Sequence, residues 1–275
     1  MATAFDAPFG TDMTGIDWQG DLDADALRSA FLEFGMLCLK GAPREPEAFL
    51  AAARVFGEAQ PQLIRSKHHS ATNLISVHDS TRQPDEAAID ATARRAASWH
   101  TDDSFFAQPA KATMLHGIDI PSAGGGTEFT DMAAAYDALD DATKERIDGL
   151  HSVHGYDTPR AAQRAEARTA EEAAETPDVV HPLVRTHDET GRKALYINPN
   201  RLDRIEGLER AESDALLDHL AAHADNPRFQ FLHAWSPGDI IIWDNRRLMH
   251  RVHLDHPMGE MRTLHRILLK GPRPA

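Results

Sequence analysis

The stretch Ser98-Trp99-His100-Thr101-Asp102-Asp103 constrains this chain more than any other. Read as an extended run, it places His100 and Asp102 at i and i+2, on one face of a strand. An imidazole and a carboxylate then converge on one point. They form two thirds of a 2-His-1-carboxylate facial triad, the donor set that holds Fe(II) and leaves coordination positions open. The third ligand has to be a distant histidine brought in by another strand. His250 is the candidate, closing the run Ile240-Ile241-Ile242-Trp243-Asp244-Asn245-Arg246-Arg247-Leu248-Met249-His250. A His-x-Asp triplet alone is common, and most instances are surface loops or hydrogen-bonded pairs. With 16 histidines in the chain, some downstream partner always exists. The weight comes from the neighbours of both halves.

A chain of 275 residues with 41% hydrophobic content can bury a substantial core. One domain spanning 1–275 is expected, since barrels and sandwiches reach this size undivided. The net charge of −14 and the pI of about 5.5 argue against nucleic acid or an anionic membrane as partner. They leave room for a small anionic substrate in a local basic pocket. The single cysteine, Cys38, lies within Met36-Leu37-Cys38-Leu39 and reads as a buried, inert strand thiol. It excludes a disulfide framework and a CxxC zinc pair. Residues 1–20 lack a basic segment followed by an apolar one, and no apolar run is long enough to span a bilayer. A cytoplasmic protein is therefore expected.

The first part of the chain reads as α/β. Residues 23–34 carry Ala26, Leu27, Ala30, Phe31 and Phe34 at helical spacing, and Gly35 stops the helix. A strand at 36–39, a helix at 46–56 and a strand at 74–77 follow. Residues 79–97 are polar, charged and Ala-rich, and both a short surface helix and a mobile lid fit them. Strands at 112–120 and 127–131 flank Gly124-Gly125-Gly126. Three glycines open backbone dihedrals closed to other residues and permit close ligand approach, with a plain tight hairpin as the alternative.

Helices are expected at 131–139 and 140–150, the first packing Met132, Ala135, Tyr136 and Leu139 on one face. Residues 158–177 hold almost no large apolar side chains and read as a solvated helix or a flap at the mouth of a site. Beyond 179, β patterns dominate. Residues 181–187 and 194–197 read as a hairpin about Gly191, and 229–235, 240–243 and 262–269 as strands. A helix at 209–224 turns Ala211, Leu216, Leu217 and Leu220 inward. Many strands and few long helices predict a mainly β fold with flanking helices, a double-stranded β-helix of the jelly-roll kind.

Five motifs occur in one order: Trp99-His100-Thr101-Asp102; Pro121 with Gly124-Gly125-Gly126-Thr127; His181-Pro182-Leu183-Val184-Arg185-Thr186-His187; Trp243-Asp244-Asn245-Arg246 with His250; and Arg262 with Arg266. Together they resemble the taurine dioxygenase / 2,4-dichlorophenoxyacetate dioxygenase (TauD/TfdA) family of Fe(II)- and 2-oxoglutarate-dependent oxygenases. The resemblance covers almost the whole chain and is weakest in residues 1–20 and 79–97.

The resemblance implies that His100, Asp102 and His250 are the iron ligands. Arg262, twelve residues after His250, matches the arginine that binds the distal carboxylate of 2-oxoglutarate, and Thr127 the threonine that joins it. The family's spacing is one residue shorter, which places an insertion within Pro257-Met258-Gly259-Glu260. Arg266 resembles the arginine that grips the anionic group of the substrate, and Tyr156 an aromatic pocket position. Gln60 stands where taurine enzymes have a histidine and Arg201 where they have a phenylalanine; both departures speak against taurine itself.

The implied reaction uses dioxygen to convert 2-oxoglutarate to succinate and carbon dioxide while a substrate C–H bond is hydroxylated. If the carbon bears an ether oxygen or a sulfonate, the product collapses. Related halogenases lack the carboxylate, so Asp102 favours oxygenation. Desaturation, nitrogen-centred oxidation of an amino-acid-derived substrate, and a non-catalytic metal-binding jelly roll remain as alternatives. A homo-oligomer, dimer or tetramer, is compatible with this reading. The segments 79–97 and 158–177 are expected to act as lids.

Overall fold

Caps and glycine stops delimit the first elements. In the structure, a computed structural model that describes residues 2–4, 9–81, 95–161 and 167–275, the chain starts with β1 (Ala2–Ala4) and β2 (Thr11–Met13). In α1 (Ala24–Phe34), the Asp23 carboxylate accepts from the Ala26 amide, and Gly35 closes the helix at φ 71°. Next come β3 (Met36–Leu39) and α2 (Pro46–Phe56), the latter opened by a proline that needs no hydrogen-bond acceptor there. The chain continues through β4 (Ala59–Gln60), β5 (His68–His69), β6 (Thr72–Asp79), β7 (Ala112–Asp119) and β8 (Thr127–Asp131). Two short helices, α3 (Met132–Asp137) and α4 (Asp141–Ile147), precede β9 (His151–His154) and α5 (Ala170–Ala174). Then follow β10 (Val179–Pro182), β11 (Val184–Thr186), β12 (Lys193–Leu195), β13 (Leu202–Ile205) and α6 (Arg210–Ala224). The last strands are β14 (Gln230–His233), β15 (Ile240–Asp244), β16 (Leu248–Val252) and β17 (Thr263–Leu269).

The main sheet runs β1-β2-β3-β15-β7-β17-β6-β5, with β4 also paired to β17. A second sheet, β14-β8-β16, stacks against it, and β10-β9-β13 and β11-β12 form two smaller ones. Strand alternation sorts the faces. Leu37, Leu39, Ala112, Met114, Ile240, Ile242, Ile267 and Leu269 pack with Phe31, Phe49 and Phe56 of α1 and α2. The alternate residues Met36, Cys38, Leu115, Ile241, Trp243 and Leu264 meet Phe129 and Leu248 of the second sheet. Two stacked sheets with helices outside make the expected jelly roll.

One row across the main sheet reads Cys38, Ile241, Leu115, Arg266, Ser76. It is apolar where the second sheet covers it and polar at the β17–β6 end, where the interior opens. A third core, built from Leu195, Ile197, Leu202, Leu216, Leu217 and Leu220, also takes in Trp99 and Met249.

Several boundaries differ from the sequence pattern. Asp131 ends β8 and caps α3, accepting from the Ala133 and Ala134 amides, so that helix starts one residue later than expected. The run 181–187 is not one strand. Val179–Pro182 pairs with β9, and only Val184–Thr186 makes the hairpin with Lys193–Leu195. Ala26 and Ala211 face solvent. In α6 the inward position falls to Ser213, whose hydroxyl accepts from the Ile205 amide at 2.8 Å.

Most of 79–97 and part of 158–177 lie outside the described residues. The described remainder of the second segment takes the helical alternative. Thr169 and Glu172 form a capping box for α5, and Arg65 pairs with Glu175 at 3.3 Å. Cys38 is buried, and burial pushes its thiol pKa far up, in keeping with an inert thiol. Among the described residues, no helix is long and apolar enough to cross a membrane.

His116 on β7 and His265 on β17 lie opposite each other. His116 is 1% exposed, lies against Phe49, and neither of its ring nitrogens has a hydrogen-bond partner among the described residues. Burial, then the charge of His265, pushes it down to about 4; burial, then His69, does the same to His265. A histidine whose folded value lies below about 6.5 loses stability when it must take up a proton. Stability should therefore hold above roughly pH 6.5 and fall as pH drops towards 4, by at most about 3 kcal/mol per group. Denaturant midpoints across this range measure the slope. His116→Leu should flatten it, and an unchanged slope would exclude His116 as a source.

Candidate functional site

Two backbone hydrogen bonds create the centre of the site. The His100 amide donates to the His250 carbonyl at 3.0 Å, and the His250 amide donates back at 2.8 Å. This single bridge adds His100 to the edge of the second sheet beside β16 and sets the two rings 4.1 Å apart. The extended reading of 98–103 does not hold beyond this point. The chain turns at Asp102, and Asp103 takes φ 59°, the one non-glycine residue with positive φ among the described residues. Asp102 reaches the two imidazoles through a turn and not through i, i+2 strand geometry.

The ligand atoms of His100, Asp102 and His250 lie within 4.8 Å of one another. The His100 Nδ1 lies 2.8 Å from the Ser98 carbonyl, an interaction that orients the ring. Asp102 Oδ2 accepts from the Thr113 hydroxyl at 2.6 Å and lies 3.9 Å from His250 Nε2. Burial lowers both histidines, His250 to about 3, so both are neutral and able to ligate. Burial opposes the charge on Asp102, but His250, Arg266 and His100 hold it well below the usual carboxylate range. Two neutral imidazoles and one carboxylate, buried together, fit a divalent iron.

A second donor group, Cys38, His233 and Asp239, is equally close. It is a closed hydrogen-bond cluster. Asp239 Oδ2 is 3.1 Å from the Lys40 ammonium and accepts from the Ser236 amide, and the Cys38 thiol is held protonated. The lysine already supplies the positive charge there.

A cavity of about 340 Å³ opens beside the triad. His100, Asp102, Thr127, His250, Arg262 and Arg266 all line it, and so does Arg201. Arg262 is 3% exposed; its Nε donates to the Gly125 carbonyl at 2.9 Å and its Nη1 to the Ser80 hydroxyl at 2.8 Å. Both acceptors are neutral, so the guanidinium charge is satisfied in hydrogen bonds without being cancelled. Burial pushes its pKa down to about 10, still protonated at neutral pH. Thr127 Oγ1 accepts from the Trp235 indole at 3.0 Å, which leaves its own proton to donate. Residues 257–260, where an insertion was expected, form a turn whose Glu260 carboxylate is tied to Ser122.

Arg266, on β17, donates to Gln62 Oε1 at 3.2 Å and lies 3.7 Å from Asp102 Oδ1. Its buried Nε has no hydrogen-bond partner among the described residues. Arg201 and Tyr156 join Arg266, Asp102 and His100 around a smaller cavity of about 110 Å³. Gln60 does not line either cavity. It donates to Asp103 Oδ2 at 2.6 Å and faces a neighbouring cleft. Gln62, Ser76 and His78 line the smaller cavity instead. They sit before and within the β5–β6 hairpin, where no sequence pattern marks them. Thr113 and Ser80, which hold Asp102 and Arg262, are equally silent in sequence.

The family model for the taurine catabolism dioxygenase TauD, TfdA family matches residues 2–268. The chain belongs to the TauD/TfdA family. It is 35% identical over 267 residues to (S)-phenoxypropionate/alpha-ketoglutarate-dioxygenase of Sphingobium herbicidovorans, covering 91% of this chain and 90% of that one. It is 34% identical to the alpha-ketoglutarate-dependent 2,4-dichlorophenoxyacetate dioxygenase of a Burkholderia species, covering 78% and 75%. Among solved structures, AAD-2 in complex with Mn(II) and N-oxalylglycine superposes with a TM-score of 0.82 at 29% identity, covering 100% of this chain and 98% of that one. A taurine dioxygenase from Burkholderia xenovorans gives 0.82 at 28%, covering 100% and 90%. This TauD/TfdA chain is thus a 2-oxoglutarate-dependent dioxygenase, an oxidoreductase that uses Fe(II), 2-oxoglutarate and dioxygen.

Gly125 decides how close the backbone comes to Arg262. It has φ +66°, and an added Cβ would sit 3.0 Å from Arg262 Nε. Gly125→Ala is expected to lower stability by about 1–3 kcal/mol through strain at positive φ. It should also weaken N-oxalylglycine binding to the Mn(II) form. Chemical denaturation and calorimetry read the two effects, and wild-type values in both would show that the loop tolerates a side chain there.

Proposed function

We propose that this enzyme, folded as one domain, hydroxylates a C–H bond of a small organic anion held by Arg266. His100, Asp102 and His250 hold the iron; Arg262 and Thr127 hold the distal carboxylate of 2-oxoglutarate. The reading rests on one observation above all: a single cavity of about 340 Å³ is lined by these six residues together. The relatives support it, since their names give phenoxypropionate and 2,4-dichlorophenoxyacetate as substrates.

When bound, the iron, 2-oxoglutarate and dioxygen supply an oxidant strong enough to take hydrogen from a C–H bond, with succinate and carbon dioxide as co-products. The chain's residues do the rest. The Arg262 fork and the Thr127 proton can meet a carboxylate with charge-assisted hydrogen bonds. Arg266, beside Asp102, places an anionic substrate within reach of the metal donors. Trp243 and Phe129 pack against the His250 ring at 4.6 and 6.1 Å and keep it in place. Arg168, just before α5, stacks on the Tyr156 ring of the smaller cavity at 4.1 Å, and through this contact the segment serves as part of a lid that excludes water. A hydroxyl placed on a carbon that bears an ether oxygen or a sulfonate makes the product collapse with loss of a phenol or sulfite.

Succinate release with Fe(II) and 2-oxoglutarate, screened against aryloxyalkanoates and alkylsulfonates, tests the function. At least one class should raise turnover, and Asp102→Ala should abolish it. Full activity of that variant without added halide or carboxylate would remove Asp102 from the ligand set.

Arg262→Ala should raise the apparent KM for 2-oxoglutarate about tenfold to a hundredfold, the loss expected for one charge-assisted carboxylate pair. An unchanged KM would move the role to Arg266.

A further inference from the structure

We propose that the substrate is a dianion, with Arg201 as the anchor for a second acidic group. The inference rests on the assignment of the first group to Arg266. Arg201 immediately precedes β13, which belongs to a different sheet from β17. Its guanidinium sits in the corner formed by two perpendicular aromatic rings, 4.5 Å from the centre of Phe105 and 4.6 Å from that of Tyr156, which are themselves 5.2 Å apart. It donates to the Tyr156 carbonyl through Nη1. Among the described residues no carboxylate forms a salt bridge with it and Nε and Nη2 have no acceptor; Asp103 and Asp102 act on its charge without pairing with it.

Arg201 and Arg266 line the same two cavities beside the metal donors. Two carboxylates share the smaller cavity wall, and neither is available to Arg201. Asp102 belongs to the metal set, and Asp103 is held by Gln60 at 2.6 Å. The cation that presses most on Arg201 is Arg95, which itself faces Asp157 at 3.7 Å. Holding a cation in such a place without a paired counter-charge costs several kcal/mol, a cost relieved when an anion arrives. A planar guanidinium held by stacking offers a pre-set edge for a carboxylate or sulfonate.

The test is calorimetry on the enzyme loaded with Mn(II) and N-oxalylglycine, using matched pairs of probes. One pair is propane-1-sulfonate and 3-sulfopropanoate; the other is phenoxyacetate and 4-carboxyphenoxyacetate. In at least one pair the dianion should bind about tenfold or more tightly than its monoanion, the contribution of one charge-assisted contact. Arg201→Gln should bring that ratio below about threefold, and Arg266→Gln should weaken both members. Arg201→Lys keeps the charge without the fork and should retain an intermediate ratio. It also decides the matter if the glutamine variant does not fold.

Equal affinities within both pairs would reject the second anchor while leaving the Arg266 assignment standing. So would a ratio that survives Arg201→Gln, or an equal loss for both members, which would mean one shared anion. No binding of any probe to the wild-type enzyme would overturn the Arg266 assignment and the second anchor together.

Discussion

The site depends on the two hydrogen bonds between the backbones of His100 and His250. They bring together residues from distant parts of the chain and put both imidazoles on one side of the second sheet. The same sheet carries Phe129 opposite His250 and Thr127 opposite Val252. One ladder therefore positions two of the proposed metal donors and the threonine of the proposed 2-oxoglutarate site. The neighbours of the histidines lock it. Trp99 and Met249 enter the same apolar core, and the Trp99 indole donates to Asp225 at 2.7 Å. Truncating a buried Trp or Met costs roughly 2–5 kcal/mol, so the bridge is held by packing on both flanks as well as by its own bonds.

Charge is organised against the average of the molecule. The chain carries a net −14, yet guanidinium groups gather around the metal donors. Buried ions cost several kcal/mol unless their hydrogen bonds are met. Arg262 meets them with a carbonyl and a hydroxyl, neutral acceptors that satisfy geometry and leave the charge for a ligand. Arg266 donates to an amide oxygen and shares its charge with Asp102 at 3.7 Å. The structural arginines contrast with these. Arg246 is fully buried but surrounded by Asp244, Asp188 and Glu189, and Arg247 is paired with Asp131 at 2.6 Å. Which arginines bind and which brace is decided by their acceptors, and those come from other elements.

Much of the fold was legible in sequence. The stripe in 23–34, the proline-opened helix at 46–56 and the apolar runs at 36–39 and 240–243 carry their own periodicity and stops. Failures came where a local pattern had two readings. The run 181–187 looks like one strand because nothing local marks Leu183 as the point where pairing passes from β9 to β12. Ala211 looked inward because alanine is neutral to burial, and the Ser213 hydrogen bond to Ile205 lies across a fold contact. His100, Asp102, His250, Arg262 and Thr127, which the structure brings to one cavity, each sit in a motif that the sequence shows. Gln62, Thr113 and Ser80 do not, since single hydroxyls and amides have no pattern of their own.

By itself, the sequence determined the donor types, the chemistry they permit, and the β-rich framework that carries them. Residue identity and period are local properties, and they suffice for that. Only the tertiary structure decided that Asp102 arrives through a turn at Asp103, and that Gln60 turns away to hold that turn. It also decided that Arg201 packs against two perpendicular rings with no salt-bridge partner among the described residues. These outcomes depend on which acceptors and rings come within reach when distant segments pack, and no spacing along the chain contains that information.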